Sequence, residues 1–315
     1  MSSLMDAIIE SVNKRVKHRF WVISDLQQRI PERSTYCMTT AVSDFQSLNL
    51  PVEAICYLGD ATEGDNLKFI HEMAAMQVRE LAKVDAPVYY AIGNHDFDYF
   101  FHHQEELNSM TIPFVEYVAQ YPQWHIQKDM TDMFYTVDLG DMAIVMLTDH
   151  ADPMGKWYTT HGQVRNDAAA YPYTAEHYQA LTEQIHQLGK PVLTMSHYAF
   201  PGGNREAPLF RQLMPLPENV RMHFYGHAHI GDAEWAGKDC YRKLSGVDDQ
   251  AIMQVNVASL ENYRGTAVRS ALVNVYEDEE IGILFRNHSS HCWDDVLIVR
   301  KGDCLRDPMD NQVRP

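Results

Sequence analysis

Six short apolar runs, FWVIS (20–24), EAICYL (53–58), PVYYAI (87–92), MAIVML (142–147), PVLTMS (191–196) and RMHFY (221–225), alternate with stretches of helical periodicity. Runs of this length, rich in β-branched and aromatic residues, read as strands buried on both faces. Buried strands joined by crossover helices form a mostly parallel sheet covered by helices, so the fold class predicted is α/β. From residue 252 the texture changes to IMQVNVASL, RSALVNVYE, IGILFRN and VLIVR with turns between them. These predict an antiparallel set over 252–315 that closes the fold. Apolar residues at helical spacing between Leu4 and Val16 predict an amphipathic helix over 4–17.

A chain of 315 residues accommodates one large α/β domain or two ordinary ones. It has no internal repeat, low-complexity tract or linker, so a single domain over 1–315 is expected. Residues 98–133 and 150–172 fit neither strand nor helix, and long loops of this kind in compact enzymes act as lids or binding loops. The net charge of −17 sets a repulsive field against polyanions, so a nucleic-acid polymer is not an expected partner. With 45% hydrophobic and 22% charged residues, disorder is excluded. Five scattered cysteines without a Cys-x-x-Cys motif read as reduced thiols. The N-terminus lacks the order of a secretory signal, and no run is long and apolar enough for a bilayer span. A cytoplasmic protein that does not bind membranes is expected.

Metal-type ligands gather where the predicted strands end: Ser24-Asp25-Leu26-Gln27, Gly59-Asp60 with Gly64-Asp65-Asn66, Gly93-Asn94-His95-Asp96, Ser196-His197, and Gly226-His227-Ala228-His229. In an α/β sheet the carboxyl ends of the strands share one edge, and ligands bind there. Five segments thus deliver carboxylate, amide and imidazole groups to one rim. This mixture suits a pair of divalent ions, carboxylate and carbonyl oxygen favouring Mn or Mg and imidazole favouring Zn, Fe or Ni. Taken singly, each residue has a duller reading: Asp25, Asp60 and Asn94 as turn or cap residues, His197 as a core histidine, His227 and His229 as neighbours on a strand face.

In order, the five blocks resemble the calcineurin-like metallophosphoesterase superfamily, whose pattern is Asp-x-His, Gly-Asp, Gly-Asn-His-Asp/Glu, a lone His after a strand, and Gly-His-x-His. The resemblance covers roughly residues 20–230. It implies a four-layer αββα sandwich, two mixed β-sheets flanked by helices, with a dinuclear metal site that hydrolyses phosphoesters. Carried over, Asp25, Asp60 and His229 would hold the first metal, with Gln27 standing where the family usually has His. Asp60, Asn94, His197 and His227 would hold the second. His95 would be the catalytic histidine that contacts the phosphoryl group, and Asp96 would orient it. Gln27 either ligates directly or hydrogen-bonds a bound water.

Mn is the metal expected first, with Fe, Zn, Ni or Mg as alternatives. The function expected is hydrolysis of a small phosphodiester, nucleotide or pyrophosphate. A catalytically silent scaffold that binds a partner protein and a nuclease are the competing readings. Gln27 is the one departure that favours the scaffold, and the charge of −17 opposes the nuclease. An Asp-x-Gln first motif also resembles that of Mn-dependent ADP-ribose and CDP-alcohol pyrophosphatases. Asp65 is expected to stabilise its loop, and Tyr198 either to touch substrate or to pack. His102, His103, His150, His161 and Arg165 read as loop residues, Trp124, Trp157 and Trp293 as core, and Glu277–Glu280 as a solvated turn.

Overall fold

The computed structural model describes residues 4–64, 66–99, 112–126, 134–147, 157–158, 164–165, 175–200, 216–232, 242–247 and 250–300. After helix α1 (Leu4–Asn13), strands β1 (Val16–Ile23), β2 (Ala54–Tyr57), β3 (Val88–Tyr90) and β4 (Trp124–Ile126) run parallel, with α2 (Pro31–Ser47), α3 (Leu67–Leu81) and α4 (Pro113–Val118) in the connections. Antiparallel strands β13 (Arg269–Tyr276), β14 (Ile281–Asn287) and β15 (Cys292–Val299) extend this sheet beyond β1. Its order is β15-β14-β13-β1-β2-β3-β4.

A second sheet is built on β6 (Ala143–Leu147), β9 (Val192–Ser196), β10 (Val220–Tyr225) and β12 (Gln250–Asn256), all parallel. Antiparallel β5 (Phe134–Asp138) and β11 (Arg242–Val247) flank it. Strand alternation explains the layering. Phe20, Val22, Ala54 and Cys56 of the first sheet meet Ile144, Met146, Leu193 and Met195 of the second in one buried cluster. The alternate residues Trp21, Ile23, Ile55 and Tyr57, with Val145, Leu147 and Val192, fall into another. That second cluster also holds Met38, Val42, Ile70 and Ala74 of α2 and α3, and Leu181 and Ile185 of α5 (Ala175–Gln187). The result is the expected four layers, helices against sheet against sheet against helix.

Four expectations change. The first helix ends at Asn13 rather than at residue 17, because Val16 already pairs with Tyr276 and Lys14 reaches Asp278 and Glu280. Those ion pairs also anchor part of the acidic turn. The late strands do not form one antiparallel set: β12 joins the second sheet in parallel with β10, while β13 to β15 complete the first. Residues 98–133 include α4 and β4, and within 150–172 Trp157–Tyr158 (β7) pairs with Val164–Arg165 (β8). Trp124 is buried and Trp293 packs on the core. Asp65, His102, His103, His150 and His161, and the side chains of Trp157 and Arg165, lie outside the described residues. Among the described residues no helix is long and apolar enough to cross a membrane.

A buried polar cluster ties α2 to the first sheet. Arg286 forks onto Asp44 with two 2.8 Å hydrogen bonds, and His288 and His291 each approach the same carboxylate through Nδ1 at 2.7 Å. Ser270 links the other side of the His288 ring to Trp21. Although burial opposes its ionisation, these partners hold the Asp44 carboxyl well below the usual carboxylate range.

Candidate metal centre

The parallel strands β1, β2 and β3 of the first sheet and β9 and β10 of the second deliver their carboxyl ends to one edge. Asp25 and Gln27 follow β1, Asp60 follows β2, Asn94 follows β3, His197 follows β9, and His227 and His229 follow β10. Backbone hydrogen bonds lock these loops together, Asp25 N to Gly59 O at 3.1 Å and Gln27 N to Asp60 O at 3.0 Å. A side chain on Gly93 would collide with Asp60, and one on Gly226 with Ser24 and Asp25, so the backbone here approaches the carboxylates as only glycine allows. Asp25, Asp60, His227 and His229 all adopt left-handed backbone, with φ of 55, 54, 61 and 45°. Asp and His are among the few non-glycine residues that tolerate it.

Two groups of ligand atoms result, each within 4.8 Å, and Asp60 belongs to both. Asp60, His197 and His227 form one, with His197 Nε2 lying 3.1 Å from Asp60 Oδ2, 3.1 Å from His227 Nδ1 and 3.0 Å from Asn94 Oδ1. Asp25, Asp60 and His229 form the other. There His229 Nε2 lies 3.2 Å from Asp25 Oδ1 and 3.2 Å from the Gln27 amide nitrogen. Every sequence-derived ligand candidate is therefore brought to one place.

The donor set fits a pair of divalent cations. Asp25 Oδ1, Asp60 Oδ2 and Gln27 Oε1 are buried without a hydrogen-bond partner among the described residues, a costly arrangement that coordinated ions would satisfy. Burial raises the Asp25 carboxyl above its ordinary range. Burial acts the same way on Asp60, but His197 and His95 outweigh it and hold that carboxyl low. A positive charge at this position is what the carboxylates call for.

His95 lies beside this centre, its backbone N–H donating to Asp60 Oδ1 at 2.7 Å. Burial disfavours its charged form, yet Asp60 and the Asp98 hydrogen bond raise its pKa to about 9. The expectation that Asp96 orients His95 is corrected here. Asp96 accepts hydrogen bonds from the backbone N–H groups of Asp60, Ala61 and Gly93 and from the Tyr90 hydroxyl, so it staples the loop after β2 to the loop after β3. Asp98 takes the other role, its Oδ2 lying 2.9 Å from His95 Nδ1. The 3₁₀ turn His95–Phe97 is the reason, since residues three apart in such a turn share a side.

Sequence reasoning also missed Glu261. Its fully buried carboxylate pairs with His229 Nδ1. Burial lowers the His229 pKa to about 4 and raises that of Glu261 to about 8. A ring proton on Nδ1, facing Glu261, would leave the Nε2 lone pair towards Asp25 and Gln27, the orientation a metal ligand needs. No local motif marks Glu261. Its backbone N–H bonds to Asp25 O across the sheet, a contact only the fold creates. Tyr198 packs against the rings of His227 and His197, at centroid distances of 4.7 and 5.2 Å.

This αββα fold, with a shared carboxylate between two ligand groups, defines a metallophosphoesterase-type centre. The chain belongs to the calcineurin-like phosphoesterase family, whose model matches residues 18–231. Membership supports metal-dependent phosphoester hydrolysis and a dinuclear divalent metal site. Among solved structures the chain is similar to a dimetal phosphatase from Danio rerio, with 15% identity and a TM-score of 0.60 over 90% of this chain and 99% of that one. It is also similar to a purple acid phosphatase from seeds of yellow lupin (Lupinus luteus), with 13% identity and a TM-score of 0.54 over 94% of this chain and 55% of that one. At such identities the likeness is one of fold. No curated protein matches the sequence.

Proposed function

We propose that the chain hydrolyses a small phosphodiester, nucleotide or pyrophosphate with two divalent cations, Mn first among them. The observation that carries this reading is the convergence of three buried oxygens without a hydrogen bond among the described residues, of Asp25, Asp60 and Gln27, with the imidazoles of His197, His227 and His229. In this reading Asp25, Asp60 and His229 hold one cation with Gln27 beside it, and Asp60, Asn94, His197 and His227 hold the other. Bound there, divalent cations supply Lewis acidity to phosphoryl oxygens and lower the pKa of water. His95 acts on the substrate: Asp98 occupies Nδ1, which leaves Nε2 to give a proton to the departing oxygen. The mixed oxygen and nitrogen donors support Mn over Mg. The charge of −17 supports a small substrate over a nucleic-acid polymer.

A panel of phosphate monoesters, cyclic and linear diesters and pyrophosphates, assayed with Mn²⁺ and with Mg²⁺, tests the reading. Turnover should require metal, favour Mn²⁺ and vanish in Asp60→Ala together with metal binding. Undiminished hydrolysis after exhaustive chelation would refute it.

A further inference from the structure

Strand alternation fixes which side chains meet between the two sheets. On β1 these are Phe20 and Val22, and on β10 Met222 and Phe224, so Lys17 and Arg221 have the parity of the outer faces. Both nevertheless line a cavity of about 260 Å³ whose walls are the inter-sheet residues Met142, Leu193, Val275 and Ile281. The pairing registers explain it. Against β13, β1 steps from Val16 opposite Tyr276 to His18 opposite Val275, which leaves Lys17 as an extra residue. Against β9, β10 steps from Val220 opposite Val192 to Met222 opposite Leu193, which leaves Arg221 as an extra residue. A bulge of this kind re-aims a side chain, and in a parallel pair such as β9 and β10 it is rare.

Each of two facing sheets thus carries a bulge that turns one cation towards the same apolar space. Lys17 pairs there with Asp141, which also lies 2.9 Å from His18 Nε2. Arg221 is met less well. Its side chain is only 15% exposed, and among the described residues its guanidinium meets Glu279 alone, at 3.5 Å to the backbone oxygen and 3.7 Å to the carboxylate. Both contacts are longer than the usual hydrogen bond of about 2.7–3.2 Å, so a fork of N–H donors stands at the cavity with most of its capacity unused. An anion satisfies such a fork, and a carboxylate matches it in bidentate geometry. The walls call in addition for an aliphatic body.

We propose that this cavity binds a small aliphatic monocarboxylate, its carboxylate on the Arg221 fork beside Lys17 and its chain between the two sheets. At roughly 30 Å³ per non-hydrogen atom, the share of a water molecule in the liquid, 260 Å³ takes about eight or nine such atoms, which sets the ligand at about six carbons. A cationic ligand fits less well, because Asp141 already meets both Lys17 and His18, and the Glu279 side chain is half exposed between β13 and β14. The site is separate from the metal centre. Lys17, Leu193 and Arg221 stand at the amino ends of β1, β9 and β10, and the carboxyl ends of the same strands deliver Asp25, His197 and His227.

Calorimetric titration of the protein with hexanoate, hexanol, hexylamine and acetate, each with Mn²⁺ present and after chelation, tests the proposal. Hexanoate should bind about 10-fold or more tightly than any of the other three, the size of one charge-assisted contact, and equally well with and without Mn²⁺. Arg221→Gln should weaken hexanoate about 10- to 100-fold and leave hexanol unchanged, and Lys17→Gln should act in the same direction less strongly, since Asp141 already holds that ammonium. Thermal melts report the folding of both variants, and the comparison of the four ligands on wild-type protein depends on neither. Absence of hexanoate binding, or binding no tighter than that of hexanol or hexylamine, would overturn the site. So would undiminished binding to Arg221→Gln, or a requirement for Mn²⁺, which would move the carboxylate to the metal centre.

Discussion

Replacing Glu261 by alanine removes the group that fixes the His229 ring. In the structure Glu261 pairs with His229 Nδ1, and Nε2 faces Asp25 Oδ1 at 3.2 Å. Without Glu261 the ring proton moves to Nε2, where it gains a hydrogen bond to Asp25. A cation must then break that bond and return the proton to a nitrogen with no acceptor. A buried hydrogen bond to a charged group contributes about 1.5–3 kcal/mol, so affinity at the site of Asp25 and His229 should fall about 10- to 100-fold. Glu261→Gln keeps an acceptor and should lose less. Mn²⁺ titration by calorimetry reads both affinities in one experiment, and metal-free thermal melts separate lost affinity from lost folding. An alanine variant that bound both ions as tightly as wild type, or lost both equally, would refute the assignment of Glu261 to His229 alone.

His95→Asn should keep its metals and lose about 10²–10⁴ in kcat, and Asp98→Ala should lose less, measured by single-turnover kinetics with metal analysis in parallel; metal loss from the first variant would make His95 a ligand. Gln27→His should tighten the site it borders and shift preference towards Zn²⁺, since an amide oxygen is the poorer donor for softer ions. Unchanged titrations of both ions would reject that role. Asp44→Asn should cost about 3–5 kcal/mol in urea unfolding, because Arg286 is left buried without its counter-charge. The folded-state pKa of Asp44 is depressed, so its contribution is complete above the ordinary carboxylate range and is lost as pH falls below it. The acid limb of the stability profile should therefore be flatter in Asp44→Asn than in wild type.

The residues that converge at the rim were legible because each directly follows a strand, so chain order alone placed Asp25, Asp60, Asn94, His197 and His227 at a common edge. Asp96 and Asp98 were not separable by spacing. Both lie close to His95, and the 3₁₀ turn decides which one faces the ring. Glu261 left no local trace, since its partner is 32 residues earlier in the chain. Strand existence was similarly plain, but strand partnership was not. Gln250–Asn256 has the texture of the strands that follow it, yet it pairs in parallel with β10, a choice made by tertiary packing.

The four left-handed residues at the rim, Asp25, Asp60, His227 and His229, bear on how such a protein would respond to selection. Each holds a backbone conformation that costs an ordinary side chain of the order of 1–3 kcal/mol and costs glycine almost nothing. A library screened only for survival of heating would therefore enrich glycine at these positions, and the most robust clones would be those unable to bind metal. Directed evolution of this scaffold needs turnover in every round, because its thermal and chemical optima lie at different sequences.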